Sequence, residues 1–265
     1  MYADDVAAVV TASSVDTLEE NLNNTATQLS NWFQTNGLAL NLTKTHFIHF
    51  WLSGTAPRPL SVSVASSTIN QVENTVFLGF QVDRGLQWTN HIDGLCSKLG
   101  RACYALSRVA RVVSVDVARA CYFATVHSLL QYGTELWARA ADWQRAFRMQ
   151  KRAVRAIVRV RRCESARPLF KKLGILTLPS ILIYQVAVYV RLNVHTYAKQ
   201  SDVHTHFTRH RNDMSNIKHK LEKSGRLTHV MGPLIYNKLP SRITEKWLVE
   251  HTFYKHEEFI SHNMI

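Results

Sequence analysis

The sequence predicts an α+β fold that is mostly helical, and three observations support this. Short apolar runs with a period of two lie within the first 90 of the 265 residues, as is typical of strands. From His91 onward, apolar residues recur every three or four positions, which is helical spacing. The net charge changes sign at the same place: residues 1–90 carry three Lys/Arg and seven Asp/Glu, whereas residues 91–265 carry 29 Lys/Arg and 12 Asp/Glu. We therefore expect an acidic α+β part followed by a basic, almost wholly helical part.

Composition limits the class of protein. With 46% hydrophobic residues, the chain can bury a sizeable core and is not a disordered tail. A net charge of +13, concentrated in one section, is typical of a protein that binds a polyanion, either nucleic acid or an anionic membrane surface. The four cysteines form no Cys-x-x-Cys pair, so neither a disulfide framework nor a thiolate zinc site is predicted.

Localisation is expected to be intracellular, in the nucleus or cytoplasm. No charged n-region followed by an apolar signal segment opens the sequence, so secretion is not expected. Residues 173–190 are uncharged and just long enough to span a bilayer, but they contain Pro179 and several polar residues. We therefore interpret this stretch as a buried helix that begins near Ser180, and expect no membrane partner.

In the first part, a strand is predicted over residues 6–12, which are small and β-branched. Ser13 and Ser14 are candidate N-caps of a helix that Asn36-Gly37 would end, and its apolar stripe should cover a sheet. Two further strands are predicted within residues 38–51 and 60–69, followed by a short apolar run at 76–83.

The second part is expected to begin with a helix from His91 to about residue 113. Two more long helices are predicted over residues 115–139 and 141–162.

Asp4 and Asp5 are adjacent acids between Tyr-Ala and a run of small apolar residues. Two neighbouring carboxylates repel each other, and a partly dry strand context raises at least one of their pKa values unless a cation intervenes. The pair is therefore a candidate cation site.

Residues 141–162 combine two stripes. The basic stripe steps by three and four residues, so a single helix would align its six arginines on one face. A second stripe of apolar residues would pack inward. Phosphate would stabilise such a ridge of arginines, because a guanidinium binds it through two hydrogen bonds. The alternative interpretation is a solvated basic face. The arginines are Arg145, Arg148, Arg152, Arg155, Arg159 and Arg162, and the inward residues are Ala146, Met149, Ala153, Ile157 and Val160.

Several motifs appear in order: YADD, WFQTNGLALNLTKTHF, FLGFQVDRGLQWTNHI and QKRAVRAIV, then LFKKLGILTLPS, HTHFTRH and YNKLPSRI. Together they resemble the second half of the reverse transcriptase of non-LTR retrotransposons, closest to jockey-like mobile elements. The resemblance implies a truncated polymerase palm with a β-hairpin remnant in residues 1–88, a helical thumb in 89–165 and a helical C-terminal region in 166–265.

The resemblance also implies an RNA-directed DNA polymerase that works by two-metal nucleotidyl transfer. Asp4 and Asp5 would hold Mg²⁺ or Mn²⁺, since hard cations prefer carboxylate oxygens, in a two-metal site that is incomplete in this chain. Lys44 would lie near the leaving pyrophosphate, although a surface lysine on a strand is the alternative. The six arginines would follow an RNA template, an RNA/DNA hybrid or DNA, with no small-molecule cofactor. The hairpin that grips the primer end would be Phe77, Leu78, Gly79 and Phe80, for which plain sheet core is the alternative.

The sequence departs from this family in one respect. The family's palm has another essential aspartate upstream of the YADD motif. In this sequence YADD occupies positions 2–5, and no aspartate precedes it. We therefore expect the isolated chain not to polymerise. The alternatives are a non-catalytic, sequence-independent nucleic-acid-binding module and a decayed remnant. His204, His206 and His210 are interpreted as a polar loop rather than a metal site, because no Cys or acid with ligand spacing accompanies them.

Overall fold

The computed structural model describes residues 6–51, 57–64, 67–203 and 209–240. It is a mixed α+β structure in which helix predominates, as the sequence predicts. The chain divides into two compact units, Met1–Trp88 and Thr89–Ile265. Each unit is described by itself below.

The first unit is organised around helix α1, Val15–Thr35, whose predicted ends are confirmed. Its N-cap is Ser14, whose hydroxyl accepts a 3.1 Å hydrogen bond from the amide of Thr17. At the other end, Gly37 has φ +70°. The amides of Gly37 and Leu38 there bond to the carbonyls of Gln34 and Phe33, which is a Schellman motif.

Helix α1 covers a three-stranded sheet, as predicted. The strands β1 (His46–Phe47), β2 (Val62–Val64) and β3 (Ser67–Gln71) lie in the order β1-β3-β2, with β2 antiparallel and β1 parallel to β3. Asn23 fastens the helix to the sheet edge, since its amide donates to the Ser61 carbonyl at 2.9 Å and its oxygen accepts from the Ser63 amide at 3.0 Å. The packed apolar residues are Val15, Leu18, Leu22 and Ala26 of the helix against Leu60, Val62, Val64 and Ile69.

Three strand predictions in this unit were wrong or too long. Residues 6–12 form no strand, and Val9 is 92% exposed, because within the described ranges no other segment pairs with them. Only β1 forms within residues 38–51, since the side chain of Asn41 accepts from the amides of Thr43 and Lys44 and turns the chain there. The run at 60–69 is divided between β2 and β3, which pair as a hairpin.

A second hairpin follows, made of β4 (Asn74–Phe77) and β5 (Phe80–Asp83). Its two-residue turn is Leu78-Gly79, with φ of +47° and +80°. Positive φ at both turn residues matches the right-handed twist of the paired strands, which makes this turn a tight hairpin connection.

The second unit is helical. The predicted helix over 115–139 is broken, because Tyr132 is extended and Gly133 is left-handed at φ +57°. The helices are α2 (Thr89–Val109), α3 (Val115–Tyr122), a π-helical turn (Phe123–His127), α4 (Ser128–Gln131), α5 (Thr134–Trp137), α6 (Trp143–Ile157), α7 (Arg167–Leu173), α8 (Leu178–Leu192), a 3-10 turn (Val194–Thr196), α9 (Gln200–Val203), α10 (Glu222–Gly225) and α11 (Thr228–Tyr236).

The core of this unit confirms the helical stripe predicted for α2. Its inward residues are buried, and α8 is buried along one side as well. In the described ranges no single helix is long and apolar enough to cross a bilayer, and α7 and α8, which reach that length and hydropathy jointly, are bent by 52°. The buried residues are Ile92, Leu95, Leu99, Cys103 and Leu106 of α2, with Leu178, Ile181, Val186, Ala187 and Val190 of α8.

Candidate nucleic-acid interface

Helices α2 and α6 pack side by side and run in the same direction. At one end, Arg145 forms an ion pair with Asp93 at 2.5 Å. In the middle, the thiol of Cys103 lies 3.5 Å from the carbonyl oxygen of Met149. Beyond the far ends, Arg159 donates to the carbonyl of Val113 at 2.8 Å. The two helices therefore present one continuous outer surface.

The prediction of a single helix over residues 141–162 was wrong at its C-terminal end. Helix α6 ends at Ile157, and Arg159 has φ +60°. The amides of Arg159 and Val160 bond to the carbonyls of Ala156 and Arg155, which is again a Schellman motif, here with arginine at the position that glycine favours. Arg159 and Arg162 consequently do not continue the ridge.

Three of the six predicted arginines have partners within the protein. Arg145 is held by Asp93, whose hydrogen bond raises the pKa of Arg145. The Nε of Arg155 donates to the carbonyl of Glu164 at 2.7 Å, and Arg159 bonds to Val113. These bonds fix the ends of α6 and the turn after it, so part of the arginine set supports the fold.

The remaining arginines of α6 are exposed. Arg148 and Arg152, one turn apart, form no hydrogen bond or ion pair with any residue that the structure describes. On α2 and the turn after it, Arg101, Arg108 and Arg111 are exposed at helical spacing. These five arginines are the basic face.

The charges of arginines on α6 affect the pKa values of two cysteines on α2. Burial raises the pKa of the Cys103 thiol to about 11, and the charge of Arg152 acts to lower it. Burial likewise raises the pKa of Cys96, opposed by the charges of Arg145 and Arg148. Both cysteines belong to α2, so the charges of these α6 arginines act on α2 across the helix contact.

The inward stripe of α6 differs from the predicted one. Ala146, Ala153 and Ile157 are buried as predicted, but Met149 and Val160 are only partly buried. The prediction missed Val154, which is buried, and Gln150, which is fully buried although polar. It bonds to the hydroxyl of Tyr122, the carbonyl of Leu176 and the amide of Leu178, and a lone glutamine in an arginine-rich run gave no sequence signal for this.

Two other cations of the helical unit, Arg119 and Lys151, form contacts within the protein. The Nε of Arg119 donates to the carbonyl of Leu173 at 2.5 Å, and its guanidinium lies over the ring of Phe123 at 5.0 Å. Lys151 lies over the ring of Phe147 at 4.2 Å.

The other predicted site residues lie in the first unit. Lys44 is exposed in the turn that Asn41 forms. The predicted primer-grip residues form the tip of the β4-β5 hairpin, where Phe77 and Phe80 are paired and Phe77 is 37% exposed, so this run is not sheet core. Leu78 and Gly79 are the turn itself.

The predicted metal ligands Asp4 and Asp5 lie outside the described residues, as do His204 and His206. The part of the chain that the structure describes contains no group of three or more His, Cys, Asp or Glu side chains that could hold a metal ion. His210 is bound to Asp213 at 2.7 Å.

Comparison with known proteins gives a distant match. The chain is 26% identical over 165 residues to the probable RNA-directed DNA polymerase from transposon BS of Drosophila melanogaster. The match covers 59% of this chain and 18% of the relative, so the chain spans less than a fifth of that protein. No family model matches, and no solved structure matches. The match supports a distant relationship to the reverse transcriptases of transposons.

Proposed function

We propose that the chain is a segment of a non-LTR retrotransposon reverse transcriptase whose helical unit binds nucleic acid through the basic face. The observation that carries this proposal is the set of five exposed arginines on two helices packed in parallel and on the turn after the first of them. The relative is named as an RNA-directed DNA polymerase, so an RNA/DNA hybrid is the ligand that we propose.

The chemistry of the basic face suits phosphate. Arginine offers planar, bidentate donors, and its like-charged neighbours repel one another unless an anion lies between them. Arg148 and Arg152 project from a helix whose ends are fixed by Arg145 and Arg155, so little backbone conformational freedom is lost on binding. Contacts of this kind read the backbone and not the bases, and binding should be independent of sequence.

The first unit would then be part of the polymerase palm, by resemblance. There Asp4 and Asp5 would hold Mg²⁺ or Mn²⁺, Lys44 would lie near the pyrophosphate, and the hairpin tip at Phe77–Phe80 would touch the primer end. The donor set fits a hard divalent cation, since both side chains offer carboxylate oxygens. When bound, such an ion would lower the pKa of the primer hydroxyl and stabilise charge on the leaving group.

The metal proposal is tested by Mn²⁺ binding, measured through the enhanced relaxation of solvent water protons. The full chain should bind Mn²⁺, and the double variant Asp4→Asn/Asp5→Asn should lose that binding. An equal enhancement in the double variant would place any bound Mn²⁺ elsewhere and contradict the assignment.

The nucleic-acid proposal is tested by the salt dependence of binding to a fluorescent RNA/DNA hybrid. Each phosphate neutralised contributes about −0.9 to the slope of log K against log[salt] on duplex DNA. Substituting Ala at Arg101, Arg108, Arg148 and Arg152 should therefore flatten the slope by about 3 to 4.

A charge-matched control separates the basic face from general positive charge. Lys199, Lys218, Lys220 and Lys238 are exposed cations elsewhere in the helical unit, and their replacement by Ala removes the same formal charge. The control should leave most of the slope in place. Equal flattening in both variants would mean diffuse attraction rather than a defined interface.

A non-catalytic nucleic-acid-binding module is the second candidate, because the basic face contains neither Asp4 nor Asp5. It predicts that the double Asp→Asn variant binds the hybrid as tightly as the unchanged chain.

A further inference from the structure

An exposed tyrosine lies within the basic face. Tyr104 is on α2, three residues after Arg101 and four before Arg108, so all three side chains share one side of the helix. It is 64% exposed, and within the described ranges its side chain forms no hydrogen bond, ring pair or cation-π contact. The ring therefore offers an exposed aromatic surface between two cations.

The position of Tyr104 relative to α6 follows from helix geometry. Asp93, which contacts Arg145 of α6, precedes Tyr104 by eleven residues, or about three helical turns. Tyr104 therefore lies on the same side of α2 as Asp93, at the margin of the contact with α6. The thiol of its neighbour Cys103 lies 3.5 Å from the carbonyl oxygen of Met149, so this turn of α2 packs against the part of α6 that carries Arg148 and Arg152.

We propose that Tyr104 is a stacking platform for an unpaired base, and that the basic face takes single-stranded nucleic acid as well as duplex. The inference rests on the proposed function and deepens it by naming the ligand class. A nucleotide offers both features that this site lacks, since its phosphates pair with the arginines and its base covers the ring. Every base has an aromatic face, so the site tolerates any sequence.

The test uses the full chain and three fluorescent probes of equal length. These are oligothymidylate, an oligomer with the same phosphates but abasic sugars, and a blunt RNA/DNA hybrid whose bases are stacked. Tyr104→Leu keeps apolar area and removes the ring. It should weaken oligothymidylate binding by about 5- to 140-fold, the equivalent of 1–3 kcal/mol per stacked base, and leave the abasic probe unchanged.

Two further variants control the interpretation. Tyr104→Phe keeps the ring and should bind like the unchanged chain. Tyr189→Leu removes another exposed tyrosine, on α8, and should have no effect. Thermal unfolding of each variant should match that of the parent, because the side chains are exposed.

Cross-linking gives an independent readout. Irradiation of a 5-iodouracil oligomer should attach it to the tryptic peptide 102–108, in which Tyr104 is the only aromatic residue. If Tyr104→Leu weakens all three probes equally or none of them, the inference is wrong. If the four-arginine variant still flattens the salt slope in that case, the proposed function stands without the stacking site.

Discussion

Replacing Gln150 by leucine is expected to lower the free energy of unfolding of the helical unit by about 3 to 5 kcal/mol. The side chain of Gln150 is fully buried and bonds to Tyr122 Oη at 2.9 Å, to the Leu176 carbonyl at 2.9 Å and to the Leu178 amide at 2.8 Å. Leucine fills a similar volume but leaves three buried polar groups without a partner, and each costs about 1 to 3 kcal/mol.

Urea denaturation measures this loss, and amide exchange localises it. The Leu178 amide should exchange faster in Gln150→Leu, because it loses its acceptor. The matched control is Gln144→Leu, since Gln144 is an exposed residue of the same helix and its change should cost less than about 0.5 kcal/mol. In a Tyr122→Phe background the loss from Gln150→Leu should be smaller, because one orphaned group is absent. Equal midpoints for the two leucine variants would show that the buried bonds do not stabilise this unit.

Replacing Asp83 by alanine is expected to cost the first unit about 1 to 3 kcal/mol. Its carboxylate accepts from three backbone amides, those of Gly85 and Gln87 at 3.0 Å and that of Trp88 at 2.8 Å. The same turn holds Leu86 and Trp88 at φ +50° and +63°, a region that costs non-glycine residues about 1 to 2 kcal/mol each. Without the carboxylate, we expect these two residues to relax to negative φ.

Hydrogen exchange at the three amides is the measurement, and each should exchange at least about tenfold faster in Asp83→Ala. Asp83→Asn should fall between the parent and Ala, because its amide can accept with only one atom. Glu20→Ala removes an acid of the same unit that makes no ion pair among the described residues, and should leave exchange unchanged. Unchanged exchange in Asp83→Ala would mean that the backbone alone holds the turn.

The elements that the sequence predicted well are those with local signals at both ends. Helix α1 has a serine N-cap, a regular apolar stripe and a glycine in the left-handed position, and its bounds agree with the prediction. The inward stripe of α2 was predicted because its period of three to four continues over about four turns.

The elements that were missed depend on distant or unusual partners. The strand predicted over residues 6–12 had the right composition, but composition does not supply a pairing partner. The end of α6 could not be predicted, because arginine instead of glycine occupies the left-handed position at residue 159, stabilised by a bond to Val113, 46 residues away.

The arginine ridge was predicted as one set and divides into two. Arg145, Arg155 and Arg159 hold the helix and its neighbours, whereas Arg148 and Arg152 remain exposed. Spacing alone could not separate these groups, because the partners belong to other segments of the chain. Arg101 and Arg108 of α2, with Arg111 of the turn after it, complete the basic face next to α6.

The measurement that tests the basic face most directly is protection of arginines from phenylglyoxal in the presence of the RNA/DNA hybrid, read residue by residue by mass spectrometry. The account predicts strong protection of Arg101, Arg108, Arg148 and Arg152 at low salt. Arg139, exposed and bonded to Met231, should react equally with and without the hybrid. Protection of Arg139 with continued reaction at the basic face would contradict the assignment of this surface.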